Sequence, residues 1–161
     1  MSLFEFIKKS PKAELHLHIE GTLEPDQMFV LAKKNNIQIP FKSIDDVKRA
    51  YNFDNLDSFL KIYYEGTKVL IKEQDFFDLT WAYALKCKEE NIVHTEIFFD
   101  PQTHTERGVK FDVVINGIYN ALLKAEKQFG LSFKIIMCFL RHLDESPCFK
   151  ILNQAILHKE K

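Results

Sequence analysis

The sequence has no apolar run long enough to cross a membrane. Its longest run, residues 135–140, falls far short of the roughly 20 residues that a membrane-spanning helix needs. Charge of one sign is not in excess either, since 22 basic and 23 acidic residues leave a formal net charge of −1 at pH 7. The basic residues are scattered among acidic ones, so the sequence predicts no positive surface for nucleic acid. We therefore expect neither a membrane protein nor a nucleic-acid-binding protein.

Cysteine is scarce, with three residues, Cys87, Cys138 and Cys148, and no C-x-x-C spacing. An odd number without a paired spacing predicts reduced thiols, mainly serving as small buried side chains. Residues 1–12 lack a basic segment followed by a long apolar core, so no secretory signal is expected. These features favour a cytoplasmic location.

The patterning favours one α/β domain over residues 1–161. The chain is 46% hydrophobic and 28% charged, which is typical of a globular domain. Short β-like runs alternate with longer helical runs, as in parallel sheets built from βα units. Strands are predicted at residues 13–19, 93–99 and 132–139. Helices are predicted at residues 25–35, 45–50, 55–70, 73–91, 111–129 and from 146 to the end.

Residues 11–25, PKAELHLHIEGTLEP, carry two histidines in a strand-like run. Side chains two residues apart on a strand share one face, about 6.6 Å apart along the chain, so His16 and His18 could bind one ion. Zinc accepts imidazole nitrogen, and a catalytic zinc keeps one position open for water. The alternative is that both histidines are packed or hydrogen-bonded polar groups. Polar and apolar residues alternate from Glu14 to Thr22, which fits a strand, and Gly21 at the strand end would allow a ligand close to the backbone.

Residues 11–25 closely resemble the amino-terminal signature of the adenosine and adenine deaminase family, which are metal-dependent amidohydrolases on a (β/α)8 barrel. Residues 96–104, EIFFDPQTH, and 138–143, CFLRHL, are similar to later family segments in the expected order. The resemblance covers essentially the whole chain. The FFDPQ string and Glu20 look more like the adenine branch of the family than the adenosine branch.

The resemblance implies the amino-terminal half of a barrel, an incomplete domain with about three strands and their helices. A closed barrel of this type has eight strands and about 250 residues. Unpaired strand edges and uncovered helix faces would follow. We therefore expect the 161-residue chain alone to aggregate, oligomerise or stay partly molten.

The activity implied by the resemblance is zinc-dependent hydrolysis of adenine to hypoxanthine and ammonia in purine salvage. His16 and His18 would be metal ligands, with one zinc per full-length subunit, and the partner would be a small purine. One alternative is adenosine deamination, to inosine, by an enzyme of the same family. An alternative of another class is a truncated, non-catalytic protein that binds metal or depends on a partner.

By resemblance, Glu20 faces the non-reacting side of the purine and could accept a hydrogen bond from a ring nitrogen. Phe59, Leu60 and Tyr63 have helical spacing and lie where the family places a helix over the purine pocket. Asp100 could line the pocket or orient a ligand histidine. The alternatives are a solvated acid for Glu20, a core stripe for the helix and a turn residue for Asp100.

The family's other functional segments are absent from this sequence. It has no His-Ala-Gly-Glu string with a third zinc histidine and a proton-shuttling glutamate, no later catalytic histidine and no Asp-Asp pair. Thus no catalytic acid or base is assigned within this chain, and we expect it alone to lack measurable turnover. At the end of the third strand, His142 is expected to be a structural, hydrogen-bonding histidine rather than a metal ligand.

Overall fold

A three-stranded parallel sheet forms the centre of the protein, in a computed structural model that describes residues 1–161. Its strands are β1 (Lys12–His18), β2 (Ile92–Phe99) and β3 (Ser132–Met137), in the order β1-β2-β3. The helices are α1 (Leu3–Lys9), α2 (Pro25–Asn35), α3 (Ile44–Ala50), α4 (Leu56–Thr67), α5 (Glu73–Glu89), α6 (Pro101–Thr105), α7 (Phe111–Phe129) and α8 (Glu145–Ile156). The predicted α/β class, with three parallel strands, is confirmed.

Local sequence signals account for the limits of the longer helices. Asn55 caps α4 and exchanges hydrogen bonds with Ser58, so the helix begins at Leu56. Gly130 follows α7 with a φ of 75°, a left-handed conformation that glycine adopts without strain. Helix α7 buries an apolar stripe that includes Val114, Ile118 and Ala121. The predicted range 111–129 is therefore the observed helix.

Helices α5 and α7 pack closely against each other beside the sheet. Their approach depends on Gly117, because a methyl group there would lie 2.5 Å from the Glu73 carbonyl oxygen and 2.6 Å from Phe76 Cβ. The core of 24 buried residues includes Phe76, Ile97 and Ile118 and joins the sheet to the helices. A single incomplete domain over residues 1–161 stays a prediction.

Two short helices differ from the expectations. Helix α1 lies before the first predicted strand, where no helix was predicted. None of its residues is buried, so its sequence lacks the apolar spacing that marks a helix packed on a core. Helix α6 begins at Pro101, in a segment for which no helix was predicted, because proline fits the first turn of a helix. Strand β1 ends at His18, one residue before the predicted end, and residues 19–22 form a 3-10 turn.

Strands β1 and β3 lie at the edges of the sheet, each with one neighbour. Large apolar side chains are exposed on several elements, among them Leu15 at 56% and Phe149 at 57%. Self-association of the chain alone stays a prediction, and these features support it. None of the eight helices combines the length and apolar character needed to span a membrane.

Candidate metal and purine site

The carboxyl ends of the three strands meet at one edge of the sheet and bring separated motifs together. His18 ends β1, Asp100 follows β2, and Cys138 follows β3. A cavity of about 1150 Å³ opens there, and its lining includes all three residues. In open and closed parallel α/β folds, this is the edge at which ligands bind. The two histidines predicted as metal ligands both line the cavity.

His16 and His18 present their rings side by side. The ring centroids are 5.9 Å apart, and Phe98 stacks on both at 4.5 Å and 5.4 Å. Strand β1 carries one extra residue between Glu14 and Leu17 relative to β2, a bulge of the kind that redirects side chains beside functional sites. Since a zinc–nitrogen bond is about 2.0–2.1 Å long, an ion can lie roughly 3.2 Å from each ring centroid. The spacing of the rings therefore fits a shared ion.

Asp100 is buried and connects His18 to helix α4. Its Oδ2 accepts from His18 Nδ1 at 3.2 Å and from the Tyr63 hydroxyl at 2.8 Å. Because Nδ1 of His18 is bonded to this carboxylate, Nε2 is the nitrogen left for a metal. Burial and the negative charge of Glu20 raise the pKa of Asp100. Burial and the negative charges of Glu20 and Asp100 raise the pKa of Tyr63. The Tyr63 hydroxyl therefore keeps its proton and acts as a hydrogen-bond donor to Asp100.

Glu20 is buried next to the cavity and is no solvated acid, with only 3% of its surface exposed. Oε1 accepts from the Asp100 amide at 3.0 Å and contacts His104 Nε2 at 3.1 Å, while Oε2 lies 3.4 Å from the Tyr63 hydroxyl. Burial opposes ionisation, but the hydrogen bonds from His104 and the Asp100 amide outweigh it, so the pKa of Glu20 is lowered. Glu20 does not itself line the large cavity; it lines a pocket of about 20 Å³ together with Gly21 and Tyr63, and those two residues line the large cavity as well.

Helix α4 forms one wall of the cavity. Phe59, Leu60 and Tyr63 all line it, so the three residues singled out by their spacing lie together at the site. All three are half-buried, and none belongs to the buried core. Their role in purine binding stays a prediction, and it is supported by the cavity that they share with His16 and His18.

The β3 end contributes residues whose roles were not predicted. Cys138 lines the cavity with a ligand atom within 4.8 Å of those of His18 and Asp100. Burial, with Asp100 and Glu20 nearby, raises the pKa of its thiol to about 11, so it stays protonated at neutral pH. His142 is exposed at the cavity and makes no hydrogen bond, so the expectation of a structural hydrogen-bonding histidine is wrong.

Phe98 and Arg107 lie at or near the site but were not singled out from the sequence, and Cys138 was expected only as a small buried thiol, whereas it is half-buried and lines the cavity. The contact of Phe98 with the histidines follows from its register opposite His18, which only the paired strands reveal. Arg107 lies just beyond the FFDPQTH string and contacts residues 67–70, far away in the chain. Arg107 is half-buried by these contacts, whereas an arginine after a short helix gives no signal of them in a single sequence.

The fold and the site define an α/β protein of barrel type whose strand ends carry a histidine pair suited to a metal ion. The family model described as adenosine deaminase matches residues 11–161, and the chain belongs to that family. Adenine deaminase from Wolinella succinogenes is 62% identical over 99% of the chain, and adenine deaminase from Psychrobacter cryohalolentis is 61% identical over 98%. Both alignments cover 48% of the relative. The chain spans about half the length of the curated relatives it matches.

Solved structures agree with the family. The crystal structure of adenine deaminase from Arthrobacter aurescens superposes with a TM-score of 0.88 and 44% identity, covering 92% of this chain and 46% of that one. A zinc-bound amidohydrolase from Burkhoderia ambifaria gives a TM-score of 0.80 at 21% identity, covering 92% and 41%, and supports the fold alone. The predicted family and barrel-type fold are confirmed, and the matched region is the amino-terminal part of the barrel.

Proposed function

We propose that this chain is the metal- and purine-binding part of a zinc-dependent adenine deaminase, which hydrolyses adenine to hypoxanthine and ammonia in purine salvage. The observation that carries the proposal is the His16–His18 pair with Asp100 on Nδ1 of His18, facing the cavity that helix α4 covers. The high identity to adenine deaminases supports adenine as the substrate. A cytoplasmic location belongs to the same proposal.

The donor set fits zinc. His16 and His18 offer neutral imidazole nitrogens, and Asp100 holds His18 in the tautomer that leaves Nε2 free. A bound zinc ion would supply hydroxide near neutral pH for attack on the purine carbon. Asp100 contributes by orienting His18, and Tyr63 contributes by orienting Asp100. The proton-transfer group and the remaining ligands are not assigned to this chain, so turnover is a property of the intact protein.

The cavity supports binding of a flat apolar ring. Phe59 and Leu60 offer an apolar wall, and Tyr63 brings a hydroxyl donor beside two carboxylates. Glu20 keeps an acceptor on Oε2, since its only contact there is the 3.4 Å approach of Tyr63. We assign that oxygen to a ring N–H of the purine base. The cavity volume alone does not exclude a ribose, so the preference for the base rests on the relatives and on Glu20.

The test is ammonia release from adenine and from adenosine by the intact protein, before and after chelation. We expect kcat/KM for adenine to exceed that for adenosine at least a hundredfold, and activity to be lost on metal removal and restored by zinc. His16→Ala and His18→Ala should abolish activity and zinc binding. The matched control is His94→Ala, because His94 lies on the same sheet but bonds to Ser132 away from the cavity.

The outcomes separate the alternatives. Preference for adenosine would replace this proposal with adenosine deamination. Absence of turnover in zinc-loaded intact protein would favour the non-catalytic alternative, a metal-binding or partner-dependent protein. Turnover that survives chelation would contradict the assigned metal role of His16 and His18.

A further inference from the structure

A chain of three polar side chains extends from Glu20 away from the cavity into the protein. His104 contacts Glu20 on one ring nitrogen and Arg107 on the other, at 3.1 Å and 3.0 Å. His104 is fully buried and packs edge-on against Phe76 at 4.8 Å. Neither His104 nor Arg107 lines the main cavity, so an effect of either residue on a ligand there is indirect, through Glu20 or through helix α4.

Arg107 is held by backbone carbonyls on several sides. Its guanidinium donates to the carbonyls of Thr103 at 3.0 Å, Lys68 at 3.1 Å and Thr67 at 3.0 Å. Two of these carbonyls lie where helix α4 ends. The guanidinium therefore has little freedom, and the position of α4 is coupled to it.

The direction of the bonds follows from this arrangement. A guanidinium only donates, so Nδ1 of His104 must accept from Arg107. The ring proton is then on Nε2, which donates to Oε1 of Glu20. The Asp100 amide donates to the same oxygen at 3.0 Å. Two donors thus occupy Oε1, whereas Oε2 has only the distant Tyr63 hydroxyl, whose shorter bond goes to Asp100.

We propose that His104 and Arg107 are positioning residues that hold the Glu20 carboxylate with Oε2 towards the ligand, and that they thereby set the preference for a free purine base. The inference rests on the proposed function, in which Oε2 accepts a ring N–H that an N9-substituted purine lacks. A carboxylate without these donors can turn about its final torsion and share its oxygens between partners. The binding free energy that the hydrogen bond from the ring N–H to Oε2 contributes is then lost.

The experiment replaces His104 in two ways in the intact protein. His104→Gln keeps an N–H donor near the position of Nε2, whereas His104→Met keeps similar bulk without a donor. We expect His104→Met to lower the ratio of kcat/KM for adenine over adenosine at least tenfold, mainly through KM for adenine. We expect His104→Gln to keep the ratio within about threefold of the parent. The matched control is His158→Met, since His158 pairs with Asp112 at 2.7 Å outside the cavity.

A purely structural role would lower kcat/KM for both substrates equally, and that result would overturn the proposal. Rescue by His104→Gln distinguishes the donor from mere packing, and failure of that rescue with a folded protein would also overturn it. The hydrogen bond from Arg107 to His104 is tested separately, because nitrogen NMR shifts report which ring nitrogen of His104 carries the proton. An Nδ1–H tautomer or an imidazolium in the parent protein at neutral pH would contradict the proposed arrangement.

Failure of the proposed function is recognised separately. If the intact protein turns over neither substrate, calorimetric binding of adenine against 9-methyladenine replaces the kinetic ratio. A preference for adenine that His104→Met removes and His104→Gln keeps would support the positioning role even then. Equal binding of the two purines by the parent protein would overturn it.

Discussion

Tyr63 of helix α4 donates a hydrogen bond of 2.8 Å to Asp100, and the same carboxylate oxygen lies 3.2 Å from Nδ1 of His18. The helix over the cavity is therefore linked to a proposed metal ligand by two hydrogen bonds. Because Asp100 is buried, the orientation of its carboxylate depends on these partners rather than on water. Helix, carboxylate and histidine act as one unit.

Removal of the Tyr63 hydroxyl should disturb that unit without changing its packing. We expect Tyr63→Phe to lower kcat/KM for adenine roughly 10- to 100-fold, since a hydrogen bond to a charged group is worth about 1.5–3 kcal/mol. The measurement is steady-state kinetics on the intact protein. Tyr64→Phe is the control, because Tyr64 also lines the cavity but its hydroxyl makes no hydrogen bond. Equal losses in both variants would contradict the special role of Tyr63.

Asp100 should govern metal affinity through His18. We expect Asp100→Ala to weaken zinc binding roughly 10- to 100-fold, the usual cost of losing the acceptor behind a ligand histidine. The measurement is competition for zinc against a chelator of known affinity. Asp112→Ala is the matched control, since Asp112 pairs with His158 away from the cavity. Unchanged zinc affinity in Asp100→Ala would show that His18 needs no such support.

Much of the fold and part of the site could be predicted because they depend on local patterns. The apolar stripe of α7 and its closing glycine are contained in one stretch, and the two histidines stand in one motif. The burial of Glu20 could not be predicted, because its partner His104 is 84 residues away. Helix α1 has no buried residue and α6 has only five residues, so neither has a repeat of apolar residues from which a helix could be predicted.

Asp75 should make stability depend on pH. Burial opposes its charge, but hydrogen bonds from Lys34, from the amides of Ile71 and Lys72 and from Asn35 outweigh burial, so its pKa lies below the ordinary 3.8. A lowered carboxyl pKa stabilises the fold above the unfolded pKa, and this contribution is lost as pH falls through the folded value. The loss should therefore begin below about pH 5 and continue beneath 3.8.

Thermal melts of the intact protein from pH 7 to pH 3 test this contribution. We expect Asp75→Asn to lower the melting temperature at pH 7 and to approach the parent protein as the pH falls. Asp78→Asn is the control, because Asp78 is more exposed and lies 3.7 Å from Lys34. A gap between parent and Asp75→Asn that stays constant with pH would assign the effect to packing instead of charge.

Gly117 should be intolerant of any side chain. A methyl group there would meet the Glu73 carbonyl oxygen at 2.5 Å and Phe77 nitrogen at 3.0 Å, and backbone atoms cannot turn aside. We expect Gly117→Ala to destabilise the fold by about 2 kcal/mol or more, since overpacking costs roughly 1–3 kcal/mol. Gly66→Ala is the matched control, because its methyl group would meet the flexible end of the Met28 side chain, at 3.0 Å, and not the backbone. Urea unfolding that ranks the two variants equally would contradict the tight α5–α7 contact.

The 161-residue chain alone should self-associate. Edge strands β1 and β3 each leave one row of backbone groups unpaired. Exposed apolar side chains such as Leu15, Phe149 and Leu157 add hydrophobic surface that favours association. We expect light scattering to show species larger than the 19.0 kDa monomer, with binding of an apolar dye. The control is a full-length relative such as adenine deaminase from Wolinella succinogenes, of which this chain matches 48%. A monomer of the chain that melts sharply at low concentration would mean that the three-stranded unit is stable by itself.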